Sequence, residues 1–204
     1  RAVPGTDKVD LVWKIAEQPR YKLRKIDIVG NEAFKEKKLL RALRTDPTIW
    51  SWILPVGYFD ENTLEQDRQI LNRIYANEGY LDFAITDVEK TYSRNRKWIS
   101  ITIHVVEGSR TTVESVTITG NKLFATGELT PLVATEPGMA YSPARMRQDA
   151  AAVERKYQRL GYLDMICRPV TDRDLQARTI AIEYRIDEGV PSRIRDIYIS
   201  GNMI

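Results

Sequence analysis

Gly79-Tyr80-Leu81-Asp82, then Trp98-Ile-Ser-Ile-Thr-Ile-His-Val-Val-Glu-Gly108, then Val116-Thr-Ile-Thr-Gly-Asn121 form one cassette. The chain spells it again as Gly161-Tyr162-Leu163-Asp164, Thr179-Ile-Ala-Ile-Glu-Tyr-Arg-Ile-Asp-Glu-Gly189 and Ile197-Tyr-Ile-Ser-Gly-Asn202. The two spans differ in length by a single position. Self-similarity at long period fixes an architecture before any local reading does. Each cassette holds the end of one unit and the first strand of the next, so the chain reads as a string of like modules, cut at both ends.

Working outward, residues 8–17 alternate, with Val9, Leu11, Trp13 and Ile15 on one face. This is a half-buried strand, the last of a preceding module. Tyr21 to Val29 gives a further strand, closed by Gly30-Asn31, a pair suited to a sharp exit. Lys35 to Arg44 carries Leu39, Leu40 and Leu43 on one side and predicts a first helix. Asp60 caps a second helix over Glu61 to Glu78, which Gly79 stops. Leu81 to Tyr92 and Trp98 to Val106 alternate as strands around a polar turn at Ser93–Lys97.

The second unit repeats this order. Its strands are Thr112 to Thr119, Tyr162 to Thr171 and Arg178 to Asp187, with a turn at Asp172-Arg173-Asp174. Its helices are a short one near Thr126 to Ala134, interrupted by Pro131, and a longer one over Pro143 to Leu160. Met146, Ala150, Val153, Tyr157 and Leu160 recur at helical spacing and predict a core stripe. The fold class is α+β: tandem β-α-α-β-β modules, each a three-stranded mixed sheet with two helices packed on one face. The units are residues 1–19 (the end of a module), 20–108, 109–190 and 191–204 (the first strand of a following one). A unit of this size buries about 60% of its unfolded surface, enough for a modest core rather than a deep cavity.

Composition narrows the function classes. Net charge is +3, from 31 basic and 28 acidic residues, a mixed surface that does not by itself imply nucleic acid. The single cysteine, Cys167, allows no disulfide within the chain and reads as a small buried hydrophobe. The one histidine, His104, faces away from the isoleucine stripe of its strand, and no Ser-His-Asp set, phosphate loop or metal-ligand spacing surrounds it. A non-enzymatic protein without cofactor or metal is expected. Arg94, Arg96 and Lys97 beside Tyr92 and Trp98 make a basic-aromatic turn. A uniformly basic open sheet face would favour RNA binding, whereas a mixed face with an apolar groove along the edge strand would favour peptide addition.

The ordered signatures Gly30-Asn31-Glu32-Ala33-Phe34, Gly120-Asn121-Lys122-Leu123-Phe124, Gly79-Tyr80, Gly161-Tyr162, Glu107-Gly108 and Glu188-Gly189 resemble the POTRA domain family over essentially the whole chain. The insertion Ile49 to Phe59 resembles the third such domain of an outer-membrane protein assembly factor. Glu136-Pro137-Gly138-Met139-Ala140-Tyr141 resembles the fourth. The resemblance implies a periplasmic arm of an outer-membrane protein. Its implied partners are unfolded β-barrel clients, accessory lipoproteins and a C-terminal membrane barrel on the same parent chain. The alternative the resemblance leaves open is the POTRA arm of a related translocation or two-partner secretion transporter. The family places the second strand of each module at a sheet edge, where an extended peptide can add as another strand. The expected binding edge is therefore Leu81, Phe83, Ala84, Ile85, Thr86, Asp87, Val88 and Glu89, with proline at Thr86 as its test. Pro169 is expected to blunt the corresponding edge of the second unit. The apolar insertion Ile49, Trp50, Trp52, Ile53 and Leu54 either docks on its own module or offers a patch to a partner.

Overall fold

The computed structural model describes residues 20–45, 58–95 and 97–193. The first module comprises β1 (Lys22–Val29), α1 (Glu36–Leu40), α2 (Glu61–Ala76), β2 (Ala84–Tyr92) and β3 (Trp98–Val106). The second comprises β4 (Thr112–Thr119), α3 (Thr126–Leu129) with a 3₁₀ turn over Thr130–Leu132, α4 (Pro143–Gln158), β5 (Ile166–Asp174) and β6 (Thr179–Asp187). The last strand of each module lies in the middle, in the orders β1-β3-β2 and β4-β6-β5. It runs parallel to the first strand and antiparallel to the second, so each sheet is mixed as expected. The strand expected over residues 8–17, the apolar insertion at 49–54 and the strand expected after Arg193 lie outside the described residues.

Alternation dictates which face packs. Ile99, Ile101, Ile103 and Val105 of β3 are buried, as are Ile180, Ile182, Tyr184 and Ile186 of β6. Each such side chain contributes about 1.5–3 kcal/mol by leaving water. Leu64, Leu71 and Tyr75 of α2, and Ala150, Val153 and Tyr157 of α4, close the two cores from the helix side. Asp60 caps α2 by accepting from the Thr63 N–H at 2.9 Å, and Ser142 caps α4 by accepting from the Arg145 N–H at 3.3 Å. Cys167 is buried within the second core, which pushes its thiol up to about 12.

The signatures that define the repeat meet at one keystone in each module. Gly120 leaves β4 with φ +81°, and an added Cβ would collide with the Ile186 carbonyl of β6. Gly30 does the same against Val105. The Asn121 side chain donates to the Phe124 carbonyl, and Asn31 to that of Phe34, at 2.9 Å each. The Glu188 carboxylate accepts from the Lys122 and Leu123 N–H groups and from the Tyr157 hydroxyl. Glu107 accepts likewise from the Ala33 N–H and Tyr75 hydroxyl. Burial opposes the charge on Glu188, but these donors outweigh it and hold the carboxyl below its ordinary value. The conspicuous repeat motifs therefore lock the end of the first strand to the last helix.

Several boundaries differ from the sequence reading, most by one or two residues and the following by more or for a visible reason. Regular helix α1 stops at Leu40: Ala42 and Leu43 tighten to bonds three residues back, and the Arg44 and Thr45 N–H groups then turn onto the carboxylate of Asp67. β2 begins at Ala84 rather than Leu81, and β5 at Ile166 rather than Tyr162. Backbone bonds from Leu81 to Gly79 and from Leu163 to Gly161 make each Gly-Tyr a turn before the strand. β5 runs on to Asp174, whose carboxylate accepts from the Gln176 and Ala177 N–H groups, so the hairpin falls later than Asp172–Asp174. Leu160 lies past the end of α4 and is 56% exposed, outside the core stripe.

Candidate functional site

In a strand of fixed direction, residues whose side chains share a face turn their N–H and C=O groups to the same edge. That rule, with the hydrogen bonds present, tells which edges are open. The Cys167 N–H of β5 points outward, onto the Glu154 carboxylate of α4 at 3.0 Å. Pro169 has the same parity and brings no N–H at all, so β5 is plugged at two successive outward positions. On β1 the outward Ile28 N–H is taken by Glu36 of α1 at 3.0 Å, and the Phe59 N–H pairs with the Tyr21 carbonyl at 2.8 Å.

β2 is different. The Ser93 N–H turns inward to the Trp98 carbonyl at 3.0 Å, so alternation sends those of Tyr92, Lys90 and Val88 outward. Asn72 occupies the α2 position equivalent to Glu154; its amide NH2 donates to the Arg68 carbonyl, 3.0 Å away, and its oxygen accepts from no β2 N–H among the described residues. Among the described residues no side chain accepts from these outward N–H groups. On the same strand Ile85 and Val88 are half-buried against the first core. Further along it Lys90 reaches Glu61 of α2 at 2.6 Å and lies over the Phe59 ring.

Of the expected edge residues, Ala84, Ile85, Thr86, Asp87, Val88 and Glu89 lie on β2. Thr86 sits at a bulge between Ile85 and Asp87, its hydroxyl donating to the His104 carbonyl at 3.3 Å. The bulge takes it out of the regular alternation, so proline there does not probe the edge cleanly. Leu81 and Phe83 are not on the strand. Phe83 stacks on Tyr75 with ring centroids 3.9 Å apart, and Leu81 packs against the second module's core. Ile49, Trp50, Trp52, Ile53 and Leu54 lie outside the described residues.

The open sheet face of the first module is mixed. Lys25 pairs with Asp27 at 2.8 Å, Asp87 and Glu89 stand on β2, and His104 lies 3.9 Å from Glu89. It is not the uniformly basic face that a nucleic-acid platform needs. No cluster of three or more metal-ligating side chains occurs among the described residues, and none of their helices is long and apolar enough to cross a membrane.

The POTRA family model, described as "Surface antigen variable number repeat", matches residues 21–108 and again 111–189. The chain belongs to the POTRA family. It is similar to the outer membrane protein assembly factor BamA of Neisseria meningitidis serogroup B, 27% identical over 202 residues, 96% of this chain and 25% of that protein. A putative outer membrane protein assembly factor of Treponema pallidum is 29% identical over 193 residues, 93% of this chain and 23% of that protein. The chain thus spans about a quarter of the length of these relatives. Among solved structures, Haemophilus influenzae BamA POTRA3-5 superposes with a TM-score of 0.64 at 25% identity, over 91% of this chain and 73% of that one.

The two POTRA modules meet through the turn before β2. The Gly79 carbonyl accepts from the Thr111 N–H at 2.8 Å. The Asn77 side chain accepts from the Ala144 N–H at 3.0 Å, so the first module caps the helix α4 of the second. Asp82 accepts from the two terminal guanidinium nitrogens of Arg173, at 3.1 and 2.6 Å. The Arg173 hydrogen bond holds the Asp82 carboxyl below the usual carboxylate range. A depressed carboxylate lends its contact above its unfolded pKa and loses it as pH falls through the folded one. The joint should therefore be indifferent to pH from neutrality down to about pH 4 and loosen below it. Spin labels placed on α2 and α4 should report one narrow inter-module distance at neutral pH. The Asn77→Ala/Asp82→Ala pair should broaden that distance without unfolding either module, and an unchanged distribution would refute the joint.

Proposed function

We propose that this chain belongs to the periplasmic arm of an outer-membrane protein assembly machine. In this reading its two modules correspond to the third and fourth POTRA domains. The first receives extended segments of unfolded β-barrel clients as an added strand on β2. The observation that carries the reading is the contrast between edges: β5 is plugged by Glu154 and Pro169, while the outward N–H groups of Val88, Lys90 and Tyr92 meet no acceptor among the described residues. Backbone pairing is indifferent to client sequence, and half-buried Ile85 and Val88 supply an apolar floor for alternate side chains. The relatives' names place them in outer-membrane protein assembly, which supports the client class. Accessory outer-membrane lipoproteins and a C-terminal membrane barrel on the parent chain are the further partners the reading implies. The role is scaffolding, without catalysis or cofactor.

The test is a backbone amide NMR titration of the whole chain with peptides copied from outer-membrane β-strands. Shifts should concentrate on Ala84 to Tyr92. Val88→Pro removes an outward N–H from an edge strand while keeping an apolar side chain, a place where proline is tolerated. It should weaken binding at least tenfold, about 1.4 kcal/mol, and leave far-UV circular dichroism and melting nearly unchanged. Full binding by a folded Val88→Pro chain, or no shift on β2 at millimolar peptide, would remove the edge from consideration.

A further inference from the structure

We infer that the second module carries its own strand-addition site on the opposite edge, along β4, and that its ligand is an extended peptide with apolar side chains at alternate positions. β4 is already half paired. Gly138 to Tyr141 lies antiparallel along its start: the Val113 N–H donates to the Met139 carbonyl, and the Gly138 and Tyr141 N–H groups donate to the Val113 and Thr111 carbonyls. These bonds show that core-facing Val113 turns its backbone groups outward. After the bulge between Val113 and Ser115 the same parity falls on Val116 and Ile118, whose side chains also face the core. The pairing segment stops short of them.

The first module shows what closes this position. Ile28 is the counterpart of Ile118, and its outward N–H is taken by Glu36. The counterpart of Glu36 is Thr126, whose hydroxyl instead receives the Asn121 amide at 3.2 Å. No side chain among the described residues accepts from the Ile118 N–H. The counterparts Ile26 and Ile28 are 3% and 5% exposed, whereas Val116 and Ile118 are only partly buried and pack at the margin of the core. Beside them runs a groove of 790 Å³, walled by Pro131, Val133 and Pro137. On the opposite wall Pro131 and Pro137 have no N–H and the Ala134 and Thr135 N–H groups are taken by Asp149, so β4 is the side with backbone donors to offer an incoming strand. Val116 to Thr119 gives about 13 Å of free edge, room for a four-residue strand. Such a strand would continue the line of Gly138 to Tyr141 and bury Val116 and Ile118 under its alternate side chains. The two modules therefore leave opposite edges open, β2 in the first and β4 in the second. This site does not depend on the β2 reading.

Thr126→Glu tests it by transplanting the closure that the first module already uses. The probe is a soluble octapeptide of alternating threonine and valine with lysine at each end, titrated into the whole chain and into the variant. The peptide should shift the Val116 and Ile118 amides and slow exchange of the Ile118 N–H. In Thr126→Glu the Ile118 amide should move downfield before any peptide is added, and peptide shifts on Val116 to Thr119 should weaken at least tenfold, while those on β2 persist. A folded Thr126→Glu chain that shows the downfield Ile118 amide and still gives full shifts on β4 would overturn the proposal. So would millimolar peptide that leaves β4 unshifted, or an edge occupied instead by a second copy, seen as concentration-dependent dimerisation in sedimentation.

Discussion

Asp149→Ala should cost the second module about 3–5 kcal/mol, the largest loss expected from a single polar side chain in the described residues. Asp149 is 2% exposed. Its carboxylate accepts from the Ala134 N–H at 2.9 Å, the Thr135 N–H at 3.1 Å, the Thr135 hydroxyl and the Tyr184 hydroxyl at 3.0 Å. Removing it strands several buried donors at once, and each unmet buried group costs about 1–3 kcal/mol, less than additively. A module of this size has about 4–12 kcal/mol in total. The variant should therefore melt more than about 12 °C lower in that module, given roughly 4–8 °C per kcal/mol for so small a domain. Asp67→Ala removes the counterpart in the first module and should cost less. Asp67 is equally buried but among the described residues holds only the Arg44 and Thr45 N–H groups: Ile103 stands where the second module has Tyr184, and the Thr45 hydroxyl does not donate to it as that of Thr135 does to Asp149. Urea unfolding followed separately on resonances of each module reads both losses. A cost below about 1 kcal/mol for Asp149→Ala would mean water replaces the carboxylate without penalty.

The strands were legible because burial forces alternation. Trp98 to Val106 and Thr112 to Thr119 have the bounds that the apolar pattern predicts. The caps Asp60 and Ser142 were legible for a similar reason: they act within three residues of their own position. Ends set by distant partners were not. The segment expected to be helical as far as Arg44 leaves the helix after Leu40, and Asp67, more than twenty residues away, accepts from the Arg44 and Thr45 N–H groups. Nothing local in Lys35 to Arg44 announces this. The buried pair Asp67 and Asp149 did leave a trace, since they occupy equal places in the aligned repeats, three residues after Leu64 and Met146.

The candidate edge was legible only as a strand. Its openness is a relation between β2 and a helix side chain: Glu154 plugs β5, and Asn72 in the same place does not plug β2. The helix residue bears on the Cys167 position and Pro169 on the position that Val88 holds in β2, and strand pattern alone carries no sign of the first. Pro169 is the exception, because proline acts on its own backbone and can be read where it stands.

Substitutions at three glycines of the second module should separate into three sizes. Gly120→Ala should be the worst, at about 3 kcal/mol or more. A non-glycine residue at positive φ costs about 1–2 kcal/mol on its own. Here the added methyl would also strike the Ile186 carbonyl, so the keystone has to open. Opening it separates Glu188 from the Lys122 and Leu123 N–H groups, and the Tyr157 hydroxyl loses its anchor. Gly138 shares the left-handed conformation, with φ +84°, but its missing Cβ faces open space. Gly138→Ala should therefore show the conformational cost alone, about 1–2 kcal/mol. Gly127, in the first turn of α3, has no positive φ and nothing within 4 Å of an added Cβ. Gly127→Ala should be neutral or stabilising by up to about 1 kcal/mol, since alanine has fewer unfolded conformations to lose. Thermal melts of the three variants give the order directly. If Gly120→Ala matched Gly138→Ala, the approach to Ile186 would carry no energy and the cassette's glycine would be a matter of backbone freedom alone. If instead the expected gap appears, the collision with β6 is what sets Gly120 apart, and the motif that reveals the repeat is the one that holds each module shut.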